Sequence, residues 1–261
     1  MSQGIGIGFG IGFGGIGGGE SNAFSPTNIP NLELWLEADF GTYSDTGTTP
    51  TTNGGNVKQW NDRSGNGRHV IAPAGRIPTL NTTGGGNSKP GIVFEGVTLK
   101  PYFDVPNFMT GFTAGEAFVV IKLNNDPPAL VAQSGLDKTG NTANVTLYPQ
   151  TSGVIADSFG RTTRIASAGD PAPGILTNWH IYDRISTATE WTSILNGTQL
   201  FTTGTNTVGW NTAPRIGGDT TAGSYIDGIL CAWILFSRKL TTSEQTSMKN
   251  YLATKYAITV A

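Results

Sequence analysis

The sequence predicts an all-β protein, an antiparallel two-sheet jelly-roll sandwich with one amphipathic helix near the C-terminus. Three observations support this fold class. Short apolar runs alternate with clusters of turn residues along most of the chain. Only 13% of the 261 residues are charged, and Gly, Thr, Asn and Ser are abundant, a mixture that favours strands and tight turns. A single segment near the end carries a helix-capping pattern.

The first 25 residues differ in composition from the rest and are predicted to form an extended Gly-rich arm, followed by one domain over residues 26–261. Apolar residues alternate with glycine at five positions of this arm: Ile5, Ile7, Phe9, Ile11 and Phe13. In an extended chain all five side chains project on one face, which the arm cannot bury by itself. The arm is therefore predicted to add to another chain's sheet or to lie in an apolar groove.

The arm also contains a GxGxxG string from Gly10 to Gly15. A dinucleotide-binding loop needs a strand before this string and a helix after it, and the sequence provides neither. The residue after Met1 is Ser2 rather than glycine, which excludes N-myristoylation. An assembly arm is the interpretation that also explains the regular Ile and Phe spacing.

The first strand is predicted in the segment LELWLEAD, where leucines alternate with Glu33, Trp35 and Glu37. The dipeptide Asn196-Gly197 stands between two further apolar runs and predicts a hairpin. Other predicted strands cover residues 91–95, 117–123, 129–133, 144–148, 181–183, 190–195, 198–201, 215–217 and 228–236.

One helix is predicted after Thr241, which has Glu244 three residues further on and so forms a capping-box pattern. Met248, Leu252 and Tyr256 then follow at helical spacing and predict one apolar face.

Five motifs occur in a fixed order, which is LELWLEAD, VKQWNDRSGNG, KPGIVFEG, W…LNGTQL and RIGG…YIDGILCAWILFSRKLTTSEQTSMKNYLATKY. In this order, over residues of about 31–261, the chain resembles the laminin-G-like, concanavalin A-like jelly-roll superfamily in the form common in bacteria and their phages. The resemblance implies two packed antiparallel sheets, and a binding or structural module much more often than an enzyme. It does not extend to the arm.

The chain is predicted not to be an enzyme. The sugar hydrolases of the same superfamily carry an ExDxxE cluster, which this sequence lacks. On an extended strand Glu33 and Glu37 would lie about 13 Å apart, too far for a catalytic pair, whereas Glu37 and Asp39 would lie about 7 Å apart. His69 and His180 are not within metal-binding spacing of each other or of the single cysteine.

No cofactor is predicted, with calcium as the alternative. The candidate calcium ligands are loop residues with oxygen donors: Asp62, Asn66, Asp126 and Asp219. Three aromatic residues near polar loops are candidates for glycan binding, with packing in the core as the alternative: Trp191, Trp210 and Tyr225.

The function predicted from the sequence is that of a virion structural protein of a bacteriophage, a capsid decoration, head-fibre or tail-associated subunit. The arm would anchor it to other virion proteins or to copies of itself in an oligomeric assembly, and the jelly roll would be displayed at the particle surface. A start without the features of a secretory signal, a lone Cys231 that leaves no internal disulfide, and the frequency of the superfamily in phages favour this hypothesis.

The alternative function is a carbohydrate-binding or adhesin module that recognises cell-surface glycans, outside the cell or at its surface. Nucleic acid is not a predicted partner, because the net charge is -2 and the sequence contains no Lys/Arg run. A membrane is not a predicted partner either, because the longest dense apolar run, residues 229–236, is too short to cross a bilayer.

Overall fold

A computed structural model of the chain describes residues 1, 24–126, 133–219 and 223–261. Within these ranges antiparallel sheets form a β-sandwich with one α-helix near the C-terminus, so the predicted fold class is confirmed. No helix of the described ranges is long and apolar enough to cross a membrane. The arm residues Ile5, Ile7, Phe9, Ile11 and Phe13 lie outside the described residues.

The described strands are numbered in chain order: β1 (Leu32–Glu37), β2 (Thr42–Tyr43), β3 (Gln59–Trp60), β4 (Val70–Ile71), β5 (Thr79–Asn81), β6 (Gly91–Phe94), β7 (Phe103–Asp104), β8 (Gly115–Leu123), β9 (Gln133–Gly135), β10 (Asp137–Gly140), β11 (Leu147–Gln150), β12 (Ile155–Asp157), β13 (Ile165–Gly169), β14 (His180–Thr187), β15 (Glu190–Leu195), β16 (Thr198–Thr203), β17 (Trp210–Ile216), β18 (Gly218–Asp219), β19 (Ser224–Tyr225) and β20 (Gly228–Phe236). The α-helix α1 covers Thr242–Tyr256. Short 3-10 helices cover Pro26–Asn28, Gly86–Ser88 and Ile175–Thr177.

The largest sheet has eight strands in the order β16-β15-β14-β8-β20-β6-β5, and β1 also pairs with β20. A six-stranded sheet has the order β10-β17-β7-β4-β3-β2, and a four-stranded sheet has the order β13-β12-β11-β9. The short strands β18 and β19 pair with each other.

The main core lies between the inner face of the eight-stranded sheet and the two smaller sheets. Leu34 and Val119 of the large sheet share one buried cluster with Trp60 and Phe103 of the six-stranded sheet and Tyr148 of the four-stranded sheet. The predicted alternation in β1 is confirmed for Leu34 and Leu36, which both point into the cluster. It is wrong for Leu32, which lies beyond a register shift of the strand and packs with the cluster on the other face of the sheet.

A second apolar layer lies between the outer face of the eight-stranded sheet and α1. Phe118 and Ile181 of the sheet pack there with Met248 and Leu252 of the helix. Strands β8, β14 and β20 are therefore covered on both faces. This explains the uninterrupted apolar run GILCAWILF in β20, where a strand exposed on one face would alternate.

Helix α1 begins as the sequence predicts. The Thr241 side chain accepts a hydrogen bond from the Glu244 amide, and the Glu244 carboxylate accepts one from the Thr241 amide. The helix ends before Ala257, which takes a left-handed conformation with φ of 52°. Because the buried strip of the helix faces the sheet, its two flanks are free to border other features.

The main core also holds charged side chains that the sequence analysis did not place there. Arg184 Nη1 lies 2.7 Å from Asp137 Oδ2 and 3.7 Å from Asp157 Oδ2, and all three side chains are fully buried. Tyr182 donates its hydroxyl to Asp157 Oδ2 over 2.9 Å. The two carboxylates offset the buried guanidinium, as a charge inside a protein requires.

Several predicted strand boundaries differ from the structure. The strand predicted at residues 181–183 runs over His180–Thr187, and the one predicted at 215–217 begins at Trp210. The strand predicted at 144–148 is replaced by Leu147–Gln150. The strand predicted at 129–133 falls almost wholly outside the described residues. Polar residues inside these strands concealed their extent, because partners across the sheets bury them.

Candidate functional site

An open groove of about 670 Å³ lies along one flank of α1. This volume is in the range of sites that bind small molecules and sugars. We call it the Tyr251 groove, and it is lined by Phe24, Asp39, Arg63, Ser247, Asn250, Tyr251, Thr254 and Lys255. The helix residues share one flank because their spacing of three and four positions matches the helical turn.

Glu37, the last residue of β1, lies beneath this groove with its side chain fully buried. Its Oε1 accepts a hydrogen bond from the Tyr251 hydroxyl at 2.8 Å. Its Oε2 accepts hydrogen bonds from Arg63 Nη1 at 3.0 Å and Lys255 Nζ at 2.9 Å. Two cations and a hydroxyl thus compensate one buried carboxylate, which fixes the side chains of the groove against each other.

Lys255 also lies 2.8 Å from Asp39 Oδ2, so one ammonium bridges two carboxylates. The spacing considered for a catalytic pair at Glu37 and Asp39 is therefore occupied by a cation. Glu37 has no exposed side-chain surface, so of the two carboxylates only Asp39 can reach a ligand in the groove. Burial, together with the Glu37 charge, raises the pKa of Tyr251, which keeps its hydroxyl protonated as a donor.

Arg63 is positioned by the turn that follows β3. The Asp62 carboxylate shapes this turn by accepting hydrogen bonds from the amides of Ser64 at 2.9 Å and Arg68 at 3.0 Å. It also accepts one from the Trp35 amide at 3.0 Å, which ties the turn to β1. The sequence DRSGNG folds in this way because its aspartate satisfies the turn amides.

Two aromatic rings line the groove, and two more pack against Arg63. The rings of Phe24 and Tyr251 meet edge to face with centroids 5.9 Å apart. The Arg63 guanidinium lies 4.4 Å from the centroid of the Trp35 ring and 5.3 Å from that of Phe40. The site therefore offers ring surface beside fixed donors and acceptors, a combination that can hold a polyhydroxylated ligand.

The three aromatic residues predicted to bind a glycan lie elsewhere and are buried: Trp191, Trp210 and Tyr225. The indole Nε1 of Trp191 donates to the Phe159 carbonyl at 3.0 Å, and that of Trp210 donates to the Phe112 carbonyl at 3.0 Å. Their rings present no exposed face to a sugar. The interpretation of these residues as glycan contacts is therefore wrong, and packing in the core, which the sequence analysis kept as the alternative, is what the structure shows.

The calcium candidates belong to three separate segments. Asp62 shapes the turn before Arg63, and the Asn66 amide group donates to the Leu32 carbonyl at 2.9 Å. Asp126 Oδ2 accepts a hydrogen bond from the Gly174 amide at 3.0 Å, and Asp219 contributes its backbone to β18. Among the described residues no group of three or more His, Cys, Asp or Glu side chains is placed to hold a metal ion. Calcium binding remains a prediction.

Sequence reasoning did not single out the residues of the Tyr251 groove as a site. It noted the motif VKQWNDRSGNG, which contains Arg63, and the capped helix, which contains Tyr251, but it did not bring them together. A signal was present in Ser247, Asn250 and Thr254, which form a polar row at helical spacing next to the buried strip.

The fold is shared with solved structures. A Trypanosoma rangeli sialidase, solved as a covalent intermediate with 2,3-difluorosialic acid, matches 89% of this chain with a TM-score of 0.57 and 13% identity. The match covers 34% of the sialidase, so the chain spans about a third of that protein. Domain 4 of AbnA, an extracellular arabinanase from Geobacillus stearothermophilus, solved with arabinotriose, matches 84% of this chain with a TM-score of 0.54 and 12% identity. Here 98% of the domain is covered.

No family model matches the chain, and no curated protein matches it in sequence. The structural neighbours place the chain among β-sandwich folds, which the sialidase and the arabinanase domain share. They overturn the prediction that the chain is not an enzyme, because sialidases share its fold. At these identities the likeness shows the fold alone.

Proposed function

We propose that the chain is a carbohydrate-binding β-sandwich module that holds a glycan in the Tyr251 groove. The observation that carries this proposal is the groove itself, in which aromatic rings stand beside polar side chains fixed by the buried Glu37. A sugar presents an apolar face of C–H groups and a rim of hydroxyls, and the groove offers a counterpart to each.

The polar groups of the groove can bind sugar hydroxyls, which both donate and accept hydrogen bonds. Asp39 can accept, Arg63 can donate, and Asn250 can do both through its amide. Asn250 is exposed on the helix and free to face the solvent side of a ligand. Since Arg63 is already held by Glu37 and two rings, little rotamer entropy remains to be lost on binding.

The charge of the groove favours a neutral glycan. Glu37 and Asp39 contribute two carboxylates, and Arg63 and Lys255 contribute two cations. The four charges balance, so the site has no net attraction for an acidic or a basic sugar.

The comparisons support this function as far as a shared fold can. The arabinanase domain was solved with arabinotriose and is almost wholly covered by the match, which makes a neutral oligosaccharide a sensible first ligand. Membership of the laminin-G-like, concanavalin A-like superfamily is part of the same proposal, as is a location outside the cell or at its surface, where glycans are met. The structural neighbours give no support to the virion role, which remains a prediction.

A glycan microarray probed with the full chain, followed by calorimetry with arabinotriose and any glycan that binds, tests the proposal. We expect Asn250→Ala and Asp39→Ala each to weaken binding about tenfold, because each removes a hydrogen bond to a hydroxyl. Ser243→Ala is the matched control, an exposed position of the same helix that does not line the groove. A silent array, or binding unchanged in both groove variants, would contradict the proposal.

A further inference from the structure

A second cavity, of about 150 Å³, lies on the opposite flank of α1, and we call it the Asp183 cavity. Its floor is apolar, formed by Phe118, Ile181 and Ile194 of the eight-stranded sheet. Polar side chains of the sheet and of the helix, among them Asp183 and Lys249, form its walls. A cavity of this size holds a ligand group about as large as benzene.

The nearly buried carboxyl of Asp183, in the wall of this cavity, requires hydrogen-bond donors. The residue is 6% exposed, and its buried Oδ1 has no hydrogen-bond partner among the described residues. Burial and the neighbouring Glu116 carboxylate raise the pKa of Asp183 well above its usual value. A carboxyl buried to this degree is little screened by water, so a ligand that donates to it gains more than an exposed contact would give.

Lys249, which also lines the cavity, requires hydrogen-bond acceptors instead. Its ammonium donates to the Ala261 carbonyl and has further protons to donate. Its charge acts on Asp183, lowering the pKa of that carboxyl. A cationic ligand would be repelled by Lys249, and a purely apolar ligand would leave Asp183 unpaired.

The walls and the floor of the cavity suit a small ligand group that has an N–H donor, a carbonyl acceptor and a methyl. We propose that the Asp183 cavity binds the acetamido group of an N-acetylated amino sugar. The amide N–H donates to the Asp183 carboxyl, the carbonyl oxygen accepts from Lys249, and the methyl packs on Phe118, Ile181 and Ile194. The sugar ring remains outside, beside the exposed helix residues Thr242 and Thr246.

This site is separate from the Tyr251 groove, because the two lie on opposite flanks of the helix and share no lining residue. The inference therefore goes beyond the proposed function and does not depend on it. Either site can fail its test while the other passes.

Saturation-transfer NMR of the full chain with three probes, N-acetylglucosamine, glucosamine and glucose, tests the inference without any variant. We expect N-acetylglucosamine alone to bind, with the strongest saturation at its acetyl methyl. Tighter binding of glucosamine would show a site for an ammonium, and equal signals from all three probes would show recognition of the ring. Either result, or no binding at all, would overturn the inference.

Two variants at one position separate hydrogen bonding from packing. Asp183→Asn keeps an acceptor oxygen and should retain binding of N-acetylglucosamine, whereas Asp183→Ala removes it and should weaken binding at least about tenfold. Asn250→Ala, in the Tyr251 groove, should leave this binding unchanged. Equal affinity of Asp183→Ala and the unaltered chain, with both folded by circular dichroism, would contradict the inference. If Asp183→Ala does not fold, Lys249→Met is used and should weaken binding in the same way.

Discussion

Buried carboxylates on the two flanks of α1 differ in how fully their charges and hydrogen bonds are compensated. Beneath the Tyr251 groove, Glu37 receives hydrogen bonds from Arg63, Tyr251 and Lys255. Beside the Asp183 cavity, Glu116 is bonded through one oxygen only, to the Leu240 amide at 2.6 Å and the Gln245 amide group at 3.2 Å, while its other oxygen has no partner among the described residues. One helix therefore covers a compensated charge on one side and uncompensated carboxyls on the other.

The difference shows how a buried acid can be accommodated in two ways. Paired with cations, Glu37 holds the side chains of the Tyr251 groove in fixed positions. Without a cation bonded to it, Glu116 is favoured in its neutral form, and burial raises its pKa to about 7. The first arrangement is rigid and closed to ligands at the carboxylate. The second leaves hydrogen-bonding capacity beside a cavity, and the acetamido group is assigned to that flank.

Glu37→Gln should have the largest effect on stability. The variant leaves Arg63 and Lys255 without their shared carboxylate, and removal of one partner from a buried ion pair costs about 3 to 5 kcal/mol. Since the Arg63 side chain is 39% exposed and Lys255 keeps Asp39, the lower end of that range is expected. Urea denaturation at pH 7 measures the free energy of unfolding.

The matched variant for this comparison is Glu116→Gln, the same change on the other flank. It should alter the free energy of unfolding by less than about 1 kcal/mol at pH 7, because no ion pair is broken and, with a pKa of about 7, the carboxyl is already about half neutral. If both substitutions cost the same, the contrast between the two flanks is wrong.

The pH dependence of stability should show the next largest effect. Folding raises the pKa of Glu116 from 4.5 to about 7, so the native state holds a proton that the unfolded chain releases between these values. The resulting stability is fully present below about pH 4.5 and is lost as the pH rises through about 7. At about 1.4 kcal/mol per pH unit, the loss is on the order of 3 kcal/mol.

Several groups face Glu116 and enter this titration. Asp183 of β14 and Glu190 of β15 disfavour its charged form, and Lys239 before the helix favours that form. Asp183, whose pKa is also raised, should add to the slope in the same direction. Urea denaturation at pH 5 and pH 8 measures the loss, and Glu116→Gln should remove a large part of it. An equal slope in this variant would show that the titrating group lies elsewhere.

How far the sequence predicts the fold depends on whether the pattern is local. The capping box at Thr241 and the alternation that puts Leu34 and Leu36 on one face of β1 need only neighbours in the chain, and both are confirmed. The buried Arg184 was not foreseen, because Asp137 and Asp157, which compensate it, lie on other strands and far from it in sequence. A charged residue in a strand is ordinarily read as solvent-facing, and only the packed sheets show otherwise.

The site escaped sequence reasoning for the same reason. Glu37, Arg63 and Tyr251 stand on a strand, a turn and a helix, and only the fold brings them into hydrogen-bond distance. For Trp210 the local sequence indicated exposure, whereas the structure shows burial. Its neighbours Gly209 and Asn211 resemble an exposed loop, but its ring packs edge to face on Phe112 with centroids 5.8 Å apart. Polar neighbours in the sequence do not show whether another segment of the chain covers a side chain.

Thr241→Ala should have a small effect, about 1 kcal/mol, because it removes one N-cap hydrogen bond. The variant is informative because the loss of stability should be confined to one end of the helix. Gln245, which bonds Glu116 and lines the Asp183 cavity, stands in the first turn, whereas Tyr251 and Lys255 of the groove stand in the later turns. Fraying at the cap should therefore loosen the cavity and spare the groove.

Hydrogen exchange of backbone amides measures this difference. The amides of Glu244 and Gln245 should exchange faster in Thr241→Ala, and those of Tyr251 and Lys255 should keep their protection beyond the change in global stability. Ser243→Ala, which leaves the cap intact, is the control. Uniform acceleration along the whole helix would mean that α1 opens as one unit, and that the two flanks, however different their carboxylates, are not independent of each other.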